Sequence, residues 1–155
     1  MKSTFHLVTL LFLALTPCVA FAEPIVIQTK PANANYYPWI VQLSQSPIDW
    51  FEKDVNAKVQ GRAYRVVVLL TDIYNSVFFE QVTFGMEGCC KKVASVRQFD
   101  IRAFSTKFGF TSEITGFKFM RWLSPTSFIF RYKDRLFVMT EIDKPEVLVE
   151  PYSGD

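Results

Sequence analysis

Histidine is nearly absent from this chain of 155 residues, whose only histidine is His6 in the amino-terminal segment. Histidine is the usual general base near neutral pH and the most common ligand for zinc, copper and iron. Without His6, neither Ser-His-Asp nor Cys-His catalysis is available, and an ordinary zinc hydrolase site is excluded. Glycine is scarce as well, with six residues, and no Gly-rich phosphate loop, G-x-S-x-G or D-x-D-x-D sequence occurs. We therefore expect a protein that is not an enzyme and has no cofactor or metal.

The first 22 residues have the pattern of a secretory signal peptide. Lys2 supplies a positive charge, residues 7–15 form a short apolar run, and residues 20–22 (AFA) give a small-x-small cleavage pattern. The apolar run is far shorter than the roughly 20 residues that cross a bilayer. The sequence therefore predicts cleavage after Ala22 and export to the periplasm or, as the alternative, full secretion.

The mature chain is predicted to be one soluble domain. Cys18 follows Pro17, whereas lipoprotein processing requires a small residue before the cysteine, so no membrane anchor is expected after cleavage. Residues 23–155 are long enough to form a single globular domain with a core. Removing Lys2 lowers the formal net charge from +2 to +1, and this balance does not favour nucleic acid as a partner.

Residues 47–60 have the apolar spacing of an amphipathic helix. Ser46 can cap this segment, and Pro47 suits a first helical turn. Apolar side chains recur at intervals of three and four. They are Ile48, Phe51, Val55 and Val59. The pattern predicts one long helix near the amino terminus of the domain.

The apolar period becomes two after this segment, which predicts strands. The candidate strands are residues 37–44, 64–74, 77–84, 92–99 and 147–149, the last as an edge strand, with a turn at Asn75-Ser76. Residues 100–109 fit either a short helix ended by Gly109 or a strand. Residues 116–142 predict a three-stranded meander with turns at 124–127 and 133–134.

Pairing this meander through its turns predicts two largely apolar faces. One face holds Phe119, Leu123, Phe128, Phe130, Phe137 and Met139. The other holds Met120, Trp122, Ile129, Leu136 and Val138. The fold class predicted from this order is α+β: a curved, mainly antiparallel sheet of about six to seven strands packed on one long amino-terminal helix. A β-sandwich with a helical insert is the alternative. The first arrangement resembles the cystatin-like topology in outline, without a motif that assigns a family.

The mature chain would retain two adjacent cysteines, Cys89 and Cys90. Disulfides usually join α-carbons about 4.4–6.8 Å apart, whereas neighbouring α-carbons lie about 3.8 Å apart. A bond between these two would form a strained ring and close almost no loop. Three interpretations remain open: a vicinal disulfide that acts as a rigid turn, pairing with another chain such as a second copy, or buried or free thiols.

The meander is rich in basic and aromatic residues. Tryptophan, tyrosine and arginine often dominate protein interfaces, whereas cations that lie over their own core are the alternative explanation. The candidate partner-binding residues are Arg121, Trp122, Arg131, Tyr132, Lys133 and Arg135. Together with predicted export, they favour a non-enzymatic protein-binding domain. Its most concrete form is an inhibitor or immunity-type protein that occludes an envelope-directed hydrolase. A carrier of small apolar ligands and an envelope assembly factor, which could be a homodimer, are the alternatives.

Overall fold

The computed structural model describes residues 23–33, 39–51, 60–71, 74–85, 91–110 and 116–154, with backbone alone for Thr71 and Tyr74. The predicted signal peptide and the pair Cys89 and Cys90 lie outside the described residues. The elements are β1 (Ile25–Pro31), β2 (Ile40–Gln45), β3 (Asp49–Phe51), β4 (Gln60–Thr71), β5 (Tyr74–Phe84), β6 (Lys92–Phe99), α1 (Ile101–Lys107), β7 (Phe117–Ser124), β8 (Ser127–Tyr132), β9 (Arg135–Thr140) and β10 (Glu146–Pro151).

All ten strands belong to one antiparallel sheet that is bent into a nearly closed, barrel-like form. The order is β2-β4-β5-β6-β1-β10-β9-β8-β7, and β3 pairs with β4 beside this path. The two halves of the sheet are joined by β1, which pairs with β10 through its first residues and with β6 through its last. Each of the nine strands in this order is antiparallel to its neighbours, so the first and last strands, β2 and β7, run in the same direction.

The gap between β2 and β7, called the seam below, is bridged by side chains. The Gln42 side-chain amide donates to the Phe119 carbonyl at 3.1 Å and accepts from the Phe119 backbone N–H at 2.9 Å. Across the seam, Trp122 Nε1 also donates to Ser44 Oγ at 3.1 Å, and Asn75 Oδ1 on β5 accepts from the Phe117 N–H of β7 at 2.9 Å. Amide side chains thus satisfy backbone groups that would otherwise form an open sheet edge.

Replacing Gln42 by alanine is expected to lower the free energy of unfolding by about 1–3 kcal/mol, because both Phe119 backbone groups lose their partner. Urea denaturation measures the change. Gln45→Ala is the matched control, since Gln45 is exposed at the other end of β2 and its loss should change stability by less than about 0.5 kcal/mol. Equal effects of the two substitutions would show that Gln42 does not close the seam.

The inner face of the sheet is filled by aromatic side chains around Phe104. Asp100 caps α1 by accepting from the Ala103 N–H at 2.9 Å, and the chain leaves the helix through Gly109 at a φ of +74°. This short helix brings the fully buried Phe104 ring against rings from β6, β8 and β9. Six described rings have centroids within 6.1 Å of its own: Phe99, Phe108, Phe110, Phe130, Tyr132 and Phe137.

The predicted fold class is wrong. The sheet does not pack on one long amino-terminal helix, and the described chain has a single helix, α1, of seven residues. The predicted resemblance to the cystatin-like topology is wrong for the same reason. The sandwich alternative is also wrong, because hydrogen bonding is continuous along one sheet.

The predicted helix 47–60 begins and ends in strands instead. Asp49–Phe51 forms β3, paired with the start of β4, where Trp50 lies opposite Gly61. A Cβ at Gly61 would lie 2.6 Å from the Ile48 side chain, so only glycine permits this close approach. Helix propensity is a weak preference, and Ile, Trp and Phe also suit strands. Pairing with β4 therefore outweighs the local helical preference of residues 49–51. Residues 52–59 lie outside the described part.

Other strand predictions are partly confirmed. Residues 92–99 form β6, the meander exists with both predicted turns, and residues 100–109 contain the helix rather than a strand. The predicted turn at Asn75-Ser76 is wrong, because pairing of β4 with β5 continues past both residues to Thr71 opposite Tyr74. The predicted edge strand 147–149 lies within β10, between β1 and β9, and is not an edge.

The faces of β7 differ from the period-two prediction. That prediction places Trp122 opposite Phe119, but both rings pack against Phe128 on the inner face. Two register shifts leave Met120 and Leu123 without a partner in β8. Each extra residue shifts the following side chains to the opposite face. Leu123, predicted to lie with Phe128, is therefore exposed.

Candidate partner-binding surface

Exposed apolar side chains lie on both sides of the seam. Val41 is 60% exposed and Leu43 48% on β2, and Met120 is 43% exposed and Leu123 46% on β7. These four residues are called the seam surface below. Single exposed apolar residues are common, whereas a cluster that crosses two strands is typical of a contact surface.

Local irregularities of the two end strands produce this exposure. Val41 is the extra residue of a register shift between Ile40 and Gln42, as Met120 and Leu123 are on β7. Such bulges turn side chains away from the regular alternation of the sheet. Leu43 reaches the outer face by ordinary alternation, opposite Val67. The sequence marks none of the four seam-surface residues as a binding residue. At Val41 and Leu43 the alternation resembles that of any half-buried strand.

Three cations border the seam surface on β7 and β8. Lys118 and Arg131 are exposed and lie directly opposite each other. Arg121 follows Met120 and donates to the Tyr152 hydroxyl at 3.0 Å. Tyr152 is also tied to the sheet, because its backbone N–H donates to the Leu136 carbonyl at 2.9 Å. The carboxy-terminal segment thus extends across the outer face towards β7.

The structure separates the six residues that the sequence suggested as one patch. Arg121 and Arg131 lie on the outer face, and Trp122 is half-buried against the inner face. The Tyr132 side chain is fully buried, and its hydroxyl shares a hydrogen bond of 2.9 Å with Ser105.

Lys133 and Arg135 lie apart from the seam, over the ring of Phe110. The Lys133 ammonium is 5.9 Å and the Arg135 guanidinium 5.3 Å from its centroid, and the same guanidinium is 5.2 Å from that of Phe137. These cations therefore cover the aromatic core by cation–π contact.

A buried ion pair lies on the outer face near the seam. Arg65 and Glu80 are cross-strand partners on β4 and β5 and form a salt bridge, with exposures of 8% and 3%. Arg65 is in turn opposite Gln45 on β2. A buried charge is costly without a partner of opposite charge, so this pair holds β4 and β5 together close to the seam.

The described residues do not assemble a metal centre. No group of three or more His, Cys, Asp or Glu side chains is placed to hold a metal within them. Burial raises the pKa of the Tyr64 hydroxyl, opposed by nearby Arg62, and Glu141 raises the pKa of the Lys144 ammonium. Both shifts move ionisation further above neutral pH, so neither group becomes a general base there.

A cavity of about 260 Å³ lies at the amino-terminal end of α1. Six of its eight lining residues are polar, among them Lys30, Gln98 and Arg102, and the other two are Phe99 and Ile101.

The described part of the chain contains no helix long and apolar enough to cross a membrane. Comparisons with known protein families, curated proteins and solved structures find no match to this chain.

Proposed function

We propose that this chain is an exported, non-enzymatic domain that binds another protein through the seam surface. The observation that carries the proposal is the exposure of four large apolar side chains on both sides of the seam. Protein interfaces have an apolar centre with a polar, charged rim. Here the apolar residues are bordered by Lys118, Arg121 and Arg131, in the arrangement that this anatomy requires.

The rigidity of the strands supports the same proposal. The seam surface is carried by hydrogen-bonded strands, with Trp122 anchored beneath it to Ser44. A surface held in this way loses little conformational entropy on association. The most concrete version remains an inhibitor or immunity-type protein in the periplasm, whose mechanism is occlusion: the surface would cover the cleft of an envelope-directed hydrolase.

The interior of the sheet offers less support for a carrier of apolar ligands. Its inner face is occupied by packed rings, including Phe104, Phe128 and Phe130, all fully buried. The cavity beside α1 is lined mostly by polar residues, whereas sites for apolar ligands are lined mainly by apolar ones. Protein binding is therefore the single function proposed.

Photo-crosslinking in the native host tests the proposal. A benzophenone amino acid replaces Leu43 or Leu123 in the full chain, and Val93 on β6 is the matched control because it is also exposed but lies on another part of the sheet. We expect the same heterologous protein to be crosslinked from both seam positions, with at least about tenfold less from position 93, because hot-spot contacts are local.

Other outcomes would contradict the proposal in distinguishable ways. No adduct from either seam position, or identical adducts from position 93, would remove this surface as a binding site. An adduct with a second copy of the chain would replace the heterologous partner by a homodimer. A hydrolase as the adduct would then be assayed directly, and full activity in the complex would exclude occlusion.

A further inference from the structure

We infer that the partner of the seam surface presents a negatively charged protein segment to β7 and β8, an inference that rests on the proposed function. The first evidence is the register of the two strands. Lys118 lies directly opposite Arg131, and both side chains are exposed on the same face. Like charges in such a pair destabilise a sheet. The domain therefore retains an unfavourable contact that a bound anion would relieve.

The second evidence is that the described residues do not neutralise these cations. Among them, neither the Lys118 ammonium nor the Arg131 guanidinium forms a side-chain hydrogen bond or an ion pair. Arg121, on the same strand as Lys118, donates to the Tyr152 hydroxyl rather than to a carboxylate. Carboxylates of a partner could therefore pair with three cations without breaking an existing salt bridge.

The arrangement along β7 points to a protein rather than to another polyanion. Cations and apolar residues follow one another as Lys118, Met120, Arg121 and Leu123. Nucleic acid binding relies on many basic residues and on exposed aromatic rings that stack on bases. This chain has a net charge of +2, and its exposed tryptophans, Trp39 and Trp50, lie beside β2 and on β3 rather than between these cations on β7. A segment that carries both carboxylates and apolar side chains is complementary to the alternation.

The test uses the whole mature domain and a defined probe. The probe is a fluorescent ten-residue peptide with eight glutamates and two leucines, compared with a counterpart in which serine replaces every glutamate. Anisotropy is measured at low and high salt for the native domain, for the double variant Lys118→Glu/Arg131→Glu, and for the control Lys30→Glu. Lys30 is an exposed cation on β1, which is remote from the seam in strand order.

We expect the glutamate peptide to bind the native domain at least about tenfold tighter than the serine peptide at low salt, with the difference lost at high salt. The double variant should lose this preference and Lys30→Glu should retain it. The single variant Lys118→Glu should weaken binding while leaving the melting temperature unchanged or raised, because it places opposite charges in the cross-strand pair.

Three results would overturn the inference. The first is equal binding of the two peptides. The second is an equal loss of binding in Lys30→Glu. The third is preferential binding of single-stranded DNA or phosphatidylglycerol vesicles over the acidic peptide. These results leave the proposed function intact if Leu43 and Leu123 still crosslink one partner protein. Absence of crosslinking, in contrast, contradicts the proposed function without bearing on the charge preference.

Discussion

Replacing Phe104 by alanine is expected to lower the free energy of unfolding by about 3–5 kcal/mol. The ring is fully buried and lies within 6.1 Å of six other aromatic rings. Truncation would remove its apolar surface and leave a cavity that rings on three strands cannot fill by a small shift. Denaturation in urea, followed by near-ultraviolet circular dichroism, measures both the stability and the packing of the rings.

Phe104→Leu is the matched control, because it retains most of the volume and should cost less than about half as much. A loss below about 1.5 kcal/mol for Phe104→Ala would contradict a close-packed cluster, since that is less than a typical large-to-small substitution in a core. A loss that leaves the tertiary signal unchanged would indicate that the surrounding rings collapse into the space.

Replacing Glu80 by glutamine is expected to cost about 3–5 kcal/mol, because the Arg65 guanidinium is then buried without a counter-charge. Arginine stays protonated at all ordinary pH values, so it cannot avoid this cost by losing its proton. The double variant Arg65→Met/Glu80→Leu, which removes both charges, should lie within about 2 kcal/mol of the native domain or be more stable. Urea denaturation of the single and double variants measures the coupling between the two residues.

The single variant Arg65→Met should also be destabilised, because it leaves the Glu80 carboxylate buried without its counter-charge. A Glu80→Gln effect below about 1 kcal/mol would show that the pair is not effectively buried.

Sequence reasoning recovered the elements whose determinants are local. The turn at residues 124–127 follows from its proline and serine residues, and this turn and the predicted strand 92–99 are both present. For the segment after Phe99, the apolar pattern alone fits both a helix and a strand. Capping by Asp100 and the left-handed Gly109 decide it, and both are local signals that favour a helix.

The seam surface could not be predicted from the sequence, because a bulge depends on the partner strand. Met120 and Leu123 become exposed through two register shifts against β8, and no single residue of β7 predicts these shifts. The predicted patch around Tyr132 shows the converse. Its basic and aromatic content predicted an interface, but the Tyr132 hydroxyl shares a hydrogen bond with Ser105 inside the core, which satisfies the polar group of a buried tyrosine.

Composition and local pattern were sufficient for two conclusions: a strand-rich second half and a meander with defined turns. They depend on residue identity and near neighbours alone. Only the tertiary structure decides three other features: the strand at residues 49–51, the hydrogen bonds between Gln42 and Phe119, and the exposure of Val41. Each depends on strands distant in sequence, and pairing across the sheet supplies hydrogen bonds and burial that outweigh a local helical preference of a few tenths of a kcal/mol per residue.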